Sequence, residues 1–177
     1  MKNIIKPTNE EYALYYEDFI KLVDEEVQVM KQLKNNCKII ENTILALTET
    51  ELLFKYEIGK WTIKDIIQHL IDVERVFIQR ALRFARGDKS PQAFFDENKF
   101  ALEANAVKIP TKKLLKDYKN VRNATLSFFE MQSAENLKRT GIASNSAMSV
   151  RACAWIICGH EIHHFKIIKQ KYLLLVN

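Results

Sequence analysis

The sequence predicts an all-α fold, a four-helix bundle with short extra helices in its connections, and three observations predict it. Apolar residues recur in steps of three and four over long stretches, which is the helical period. Only four glycines and three prolines occur in 177 residues, too few breakers for a turn-rich β fold. Nothing repeats internally, and no segment is low in complexity. The length suits one domain spanning 1–177, large enough for a hydrophobic core.

Each element has its own signal. Thr8 or Asn9 ahead of Glu10 and Glu11 marks a helix start with acidic residues in its first turn. The apolar stripe then runs through Tyr12, Phe19, Val23, Val27, Met30, Leu33, Cys37, Ile40, Ile44 and Leu47. This is one long helix or two in tandem, with a bend near Val23–Glu25. Residues 48–60 read as a loop. Thr62 and Asp65 form a capping box, with Asp replacing the usual Glu, and a second helix follows to about Arg86, closed by Gly87. Its stripe is Ile63, Ile66, Leu70, Val73, Phe77, Ala81 and Phe84. A crossover loop spans 88–98, a short helix about 97–106, and a third main helix 111–131. After a polar loop around Gly141–Asn145, Ser149 caps a final helix reaching Tyr172.

The composition excludes several classes of function. The formal charge of +5 is mild, and Lys and Arg are mixed with Asp and Glu throughout. That suits an anionic small molecule and does not form a nucleic-acid surface. No apolar run is long enough to span a bilayer, and the first residues lack a secretory apolar core. The three cysteines, Cys37, Cys153 and Cys158, form no C-x-x-C pair and read as reduced core thiols of a cytoplasmic protein. No phosphate-cradling glycine loop and no nucleophile elbow is present.

Three of the four histidines lie on the last helix. Val150, Cys153, Ile157, His160, His164 and Ile167 keep one stripe on a 3.6-residue period. His164 sits roughly 40° around from His160 and His163 roughly 60° to the other side, nearer the edge of the seam. His69 lies on the inward half of the second helix. If the two helices are neighbours, His69, His160 and His164 converge in the bundle core, a normal place for a metal built from facing helices. Adjacent cations are expensive in an apolar interior, so these rings are either neutral, hydrogen-bonded core residues or metal ligands. Three neutral imidazoles suit Zn, Ni, Fe or Cu and leave open positions. His160–His164 also meets H-E-x-x-H, but Glu161 lies about 100° off the seam, which weakens a metalloprotease reading.

Asp72, three residues after His69, either orients a ligand or bound water or faces solvent. Glu74 and Glu161 are candidate general bases by proximity in sequence alone. Arg80, Arg83 and Arg86 step along one side of the second helix and read as a solvated row, with an anion site as the alternative. Trp61 and Trp155 read as packing residues.

Two stretches together resemble the DinB/YfiT-like superfamily, nearest its DinB_2-type branch. They are YEIGKWTIKDIIQHLIDVERVFIQRALRFARGD (Tyr56–Asp88) and GIASNSAMSVRACAWIICGHEIHHFKII (Gly141–Ile168). The joint pattern is K-W-[ST]-x-x-[DE]-x-x-x-H-x-x-D-x-E-R, followed downstream by S-V-R and G-H-E-x-H-H. The resemblance covers essentially the whole chain. It implies a four-helix bundle with a divalent metal, Ni or Zn first, on His69, His160 and His164. It further implies a metal-dependent enzyme acting on a small molecule, with a thiol-dependent, bacillithiol-type S-transferase as the leading expectation. In that reading a low-molecular-weight thiol is the co-substrate. A metal-dependent hydrolase using Asp72 or Glu74 for the proton is the second expectation, and a non-catalytic metal-binding bundle the third. Members of such a family resemble homodimers, so a homodimer is expected here.

Overall fold

The computed structural model describes residues 1–175. Four long helices form the bundle: α2 (Val29–Leu45), α4 (Ile63–Ala85), α6 (Thr111–Glu130) and α8 (Val150–Ile167). Helix α4 packs against α6 and α8, and α2 packs against the same pair. Shorter helices fill the connections: α1 (Glu17–Lys21), α3 (Glu49–Leu53), α5 (Glu97–Ala104) and α7 (Ala134–Lys138). The predicted fold class is therefore the observed one.

The apolar stripes explain the packing. On α2 the predicted Met30, Leu33, Cys37, Ile40 and Ile44 are all buried. On α4 the stripe from Ile63 to Phe84 is buried as well, and the Thr62–Asp65 box closes its first turn. Asp65 N donates to Thr62 Oγ1 at 3.1 Å while Thr62 N donates to Asp65 Oδ2 at 2.9 Å. The helix ends where expected, with Gly87 at φ +79°. Ser149 caps α8 by accepting from Ala152 N.

One open alternative is decided and two expectations need correction. The first helical region is broken: short 3₁₀ turns at Asn9–Glu11 and Leu14–Tyr16 lead into α1, and residues 22–28 separate α1 from α2. Asp24 accepts from Glu26 N at 2.9 Å, a local side-chain bond that competes with helix continuation. Second, the loop at 48–60 contains α3, started by a capping box between Thr48 and Glu51. Third, the polar loop at 141–145 is the tip of a β-hairpin, β1 (Thr140–Ala143) paired antiparallel with β2 (Ser146–Ser149). Its two central residues, Ser144 and Asn145, have φ of 50° and 64°, the mirror-image turn that matches strand twist. Gln92 extends the hairpin, donating from its N to Ile142 O at 2.8 Å and accepting from Ser144 N at 3.0 Å.

Beyond Ile167 the last helix widens into a π turn over Ile168–Tyr172. The Tyr172 hydroxyl there donates to Trp61 O at 2.6 Å, tying the end of the bundle to the segment before α4.

Gly159 sets the fit between α1 and α8. A Cβ at this position would stand 1.9 Å from Phe19 O, so only glycine lets α1 cross α8 at this depth. That crossing puts Phe19 beside the next residue, His160.

Candidate metal centre

Helices α4 and α8 bring His69, His160 and His164 together. One ring nitrogen from each lies within 4.8 Å of the other two, and His69 Nε2 is 3.0 Å from His160 Nε2. The ring centroids are 4.5 to 4.9 Å apart. His69 and His160 are buried and His164 is partly buried. The spacing of four residues on α8 points both of its rings at the one from α4.

The three rings are neutral at pH 7. Burial lowers His69 to about 4 and His164 to about 3, the latter with help from the neighbouring histidines. Burial and the same neighbours hold His160 well below the usual range. Neutral imidazoles carry the lone pairs that a cation needs. Two nitrogens 3.0 Å apart can both reach one ion at about 2.0–2.1 Å. The donor set therefore fits a divalent transition metal.

Aromatic rings surround the cluster. Trp61 leans on His69 with centroids 4.7 Å apart and stacks on His164 at 6.3 Å. Phe19 meets His160 and His163 edge-on at 5.4 and 5.2 Å. His163 is outside the cluster, half-buried at its margin, as its angle on the helix predicts. On the side of Phe19 a cavity of about 580 Å³ reaches His160. Tyr15, Tyr16, Phe77, Phe94 and Phe95 line it, together with polar residues that include Asp96, Glu97 and Ser144.

The candidate carboxylates do not reach the cluster. Glu161 and Glu74 are buried and both bond Arg122. Arg122 grips Glu74 through Nε and Nη2 at 2.9 and 2.8 Å, and donates to Leu33 O at 2.6 Å. Tyr118 donates to Glu161 on its other side. A void of about 10 Å³ lies between His160 and this network. Glu161 thus belongs to a structural ion cluster, in keeping with its position off the seam. Asp72 accepts from Gln68 Nε2 at 2.9 Å and lies 3.9 Å from Arg75. Burial raises its pKa, with the Gln68 bond and Arg75 opposing. It is engaged along α4 and lines neither the cluster nor the cavity.

Sequence reasoning missed Phe19, Tyr16 and Trp61 as neighbours of the site. Trp61 is a packing residue as expected, but what it packs against is the histidines. The arginine row is also corrected: Arg83 bonds Asp88 and Arg86 is exposed, but Arg80 is 1% exposed. Trp155 packs in the core and donates to Ile4 O at 3.1 Å. The three cysteines are unpaired and buried, and burial pushes their thiols up, Cys37 to about 11 and Cys153 to about 12. None is a ready nucleophile.

Residues 32–168, including all three clustered histidines, match the family model described as DinB superfamily (DinB_2). The chain belongs to the DinB superfamily. This DinB-superfamily chain is 26% identical, over 142 residues, to a protein of Oceanobacillus iheyensis that carries the provisional name of metal-dependent hydrolase. The match covers 79% of this chain and 81% of that one. The solved structure of YfiT from Bacillus subtilis, described as a probable metal-dependent hydrolase with an unusual four-helix bundle topology, superposes with a TM-score of 0.73. There the identity is 14%, with 96% and 93% of the two chains covered. The mycothiol-dependent maleylpyruvate isomerase gives a TM-score of 0.64 at 13% identity, covering 83% of this chain and 61% of that one. These two likenesses show the fold. No helix among the described residues is long and apolar enough to cross a membrane.

Proposed function

We propose that this DinB-superfamily protein is a metal-dependent enzyme acting on a small molecule, with His69, His160 and His164 holding a divalent cation such as Ni or Zn. The observation that carries the reading is the convergence of three neutral imidazoles beside an aromatic cavity. A bound cation of this kind acts as a Lewis acid and lowers the pKa of a water or thiol placed on it. The chain's own part is to hold the ligands neutral, shield them with Trp61 and Phe19, and offer a largely apolar pocket on the His160 side.

Thiol S-transfer is the leading reading of the reaction. The sulfur of a low-molecular-weight thiol forms a bond to an electrophilic carbon, the leaving group departs from that carbon, and the thiol proton leaves with it. Two features support this. Glu74, Glu161 and Asp72 are all engaged elsewhere, so none of these three is free to take a proton from a water at the cluster. A thiol, with an ordinary pKa of about 8.5 against about 15.7 for water, depends less on such a base. Because the protein's cysteines are buried, the thiol has to be supplied from outside.

Hydrolysis is the second reading, favoured by the names that the relatives carry. In both readings the active form is a cytoplasmic protein; the homodimer is a further proposal, testable by light scattering.

Metal analysis of protein purified without an affinity tag, beside His69→Ala and His160→Ala, tests the centre. One equivalent of metal, lost in both variants, is expected. Absence of metal after reconstitution with Zn or Ni would refute it. Metal-dependent conjugation of a thiol to a model electrophile, without ester or amide hydrolysis, is expected of the leading reading; hydrolysis without conjugation would replace it with the second.

A further inference from the structure

Arg80 is a cation held in the core without a carboxylate. Its Nη2 donates to Ala93 O at 2.8 Å and to Ser144 Oγ at 3.2 Å. Its guanidinium carbon lies 5.3 Å from the centre of the Phe77 ring and 5.6 Å from that of Phe95. Among the described residues Nη1 has no hydrogen-bond partner, and it is shut off from solvent. Arg122, the other fully buried arginine, sits between two carboxylates, and the contrast matters. A buried guanidinium is costly unless its charge and donors are met. Among the described residues no carboxylate pairs with Arg80.

The groups packed around Arg80 face the cavity beside His160. Phe77, Phe95, Ser144 and Tyr16 all line it. Because Ser144 Oγ accepts from Arg80, its own proton is free to point into the cavity. The Tyr16 phenol lies beside the guanidinium, whose charge and hydrogen bonding offset part of the rise that burial causes in its pKa. Arg80 itself stands behind the wall, so that a buried guanidinium backs the two wall hydroxyls of Tyr16 and Ser144. The acidic residues of the lining, Asp96 and Glu97, are exposed, and Asp96 is occupied in capping α5.

We propose that this cavity binds an aromatic or extended apolar carboxylate, held by the Ser144 and Tyr16 hydroxyls with the uncompensated charge of Arg80 directly behind them, its other end lying at His160. A single guanidinium balances one negative charge, which suits a carboxylate rather than a phosphate dianion in such apolar surroundings. Arg80 lies eleven residues after His69 on α4, about 16 Å of helical rise. Both side chains lean toward the helix start, so the anchor and His69 stay roughly 15 Å apart along the helix. The carboxylate is therefore a handle, distant from the reacting end. The identity of the reacting end rests on the metal-enzyme reading; the anion site rests on Arg80 alone.

Titration calorimetry with biphenyl-4-acetate and its neutral amide tests this on metal-loaded and metal-stripped protein. The acid is expected to bind at least tenfold more tightly than the amide in both forms, and also in His164→Ala, which impairs the metal centre but lies outside the cavity wall. Arg80→Met is expected to abolish the preference, and Ser144→Ala to reduce it threefold or more. Equal affinity for acid and amide, or no binding of either, would overturn the proposal. So would a preference that survives Arg80→Met, or one that vanishes with the metal, since the carboxylate would then sit on the ion. If Arg80→Met fails to fold, Ser144→Ala decides: an unchanged preference overturns the proposal and a reduced one supports it.

Discussion

Arg122→Met would leave two carboxylates stranded in the core. Glu74 and Glu161 have side chains 2% and 1% exposed, and Arg122 is their shared counter-ion. Removing one partner of a buried ion pair typically costs about 3–5 kcal/mol, because the remaining charge keeps its desolvation penalty and loses its compensation. Here one substitution strands two charges and also leaves Leu33 O without its 2.6 Å donor, so the upper part of that range is expected. For a chain of this length each kcal/mol is worth about 2–4 °C in Tm, giving a fall of roughly 10–20 °C. The assay is urea unfolding followed by circular dichroism. Adding Glu74→Gln and Glu161→Gln to Arg122→Met should recover much of the stability. A loss below about 1 kcal/mol for Arg122→Met, or no recovery when Glu74→Gln and Glu161→Gln are added, would refute the view that this triad is a tightly compensated charge cluster.

Gly159→Ala sets two effects against each other. Alanine gains about 1 kcal/mol of helix propensity, but its Cβ would strike Phe19 O, and relief requires α1 to move. A net loss of about 1–3 kcal/mol is expected by calorimetric Tm, together with weaker metal retention because Phe19 backs His160. The Glu11–Arg151 ion pair predicts an acid-dependent loss. Burial alone would raise the Glu11 pKa, but bonds from Arg151, Ser149 and Thr8 outweigh it and bring the carboxyl from 4.5 to about 2. A folded-state pKa below the unfolded one stabilises above the unfolded value and fades as pH falls toward the folded one. Glu11→Gln should therefore be less stable than the parent at pH 7, and the gap should narrow between pH 4.5 and 2. Finally, Trp61 packs on two of the three histidines while Trp155 lies elsewhere in the core. Adding Ni to metal-stripped protein should quench part of the indole fluorescence, and Trp61→Phe should remove that quenching.

The bundle and the histidine cluster were legible because both follow from a period. Steps of three and four place His160 and His164 on the face that carries Cys153 and Ile157, and the same arithmetic turns Glu161 away toward Arg122. The hairpin was not legible for the opposite reason. Its strands are four residues each, too short for alternation to register, and its turn uses Ser144-Asn145 where Asn-Gly would have signalled the backbone. The tandem alternative at the start of the chain was the better one, because local bonds of Asp24 and the 3₁₀ turns leave α1 only five residues. Arg80 was misread since a row of arginines on one helix flank resembles a solvated face. Its burial depends on Phe95 and Ser144, which arrive from distant connections that no local pattern reveals. Trp61 likewise reaches the histidines only once Tyr172 has fixed its backbone.

The histidines and the cavity wall differ in where they come from. The clustered rings stand on α4 and α8 in the middle of the bundle, whereas Tyr15, Tyr16, Phe94, Phe95 and Ser144 belong to the connections around it. Connections accept replacement and insertion far more readily than packed helices do. The shape and polarity of the pocket can thus drift between descendants of one ancestor while the three imidazoles stay in register. A scaffold divided in this way can have much of its pocket reshaped by exchanging a handful of loop residues, without rebuilding the histidine cluster.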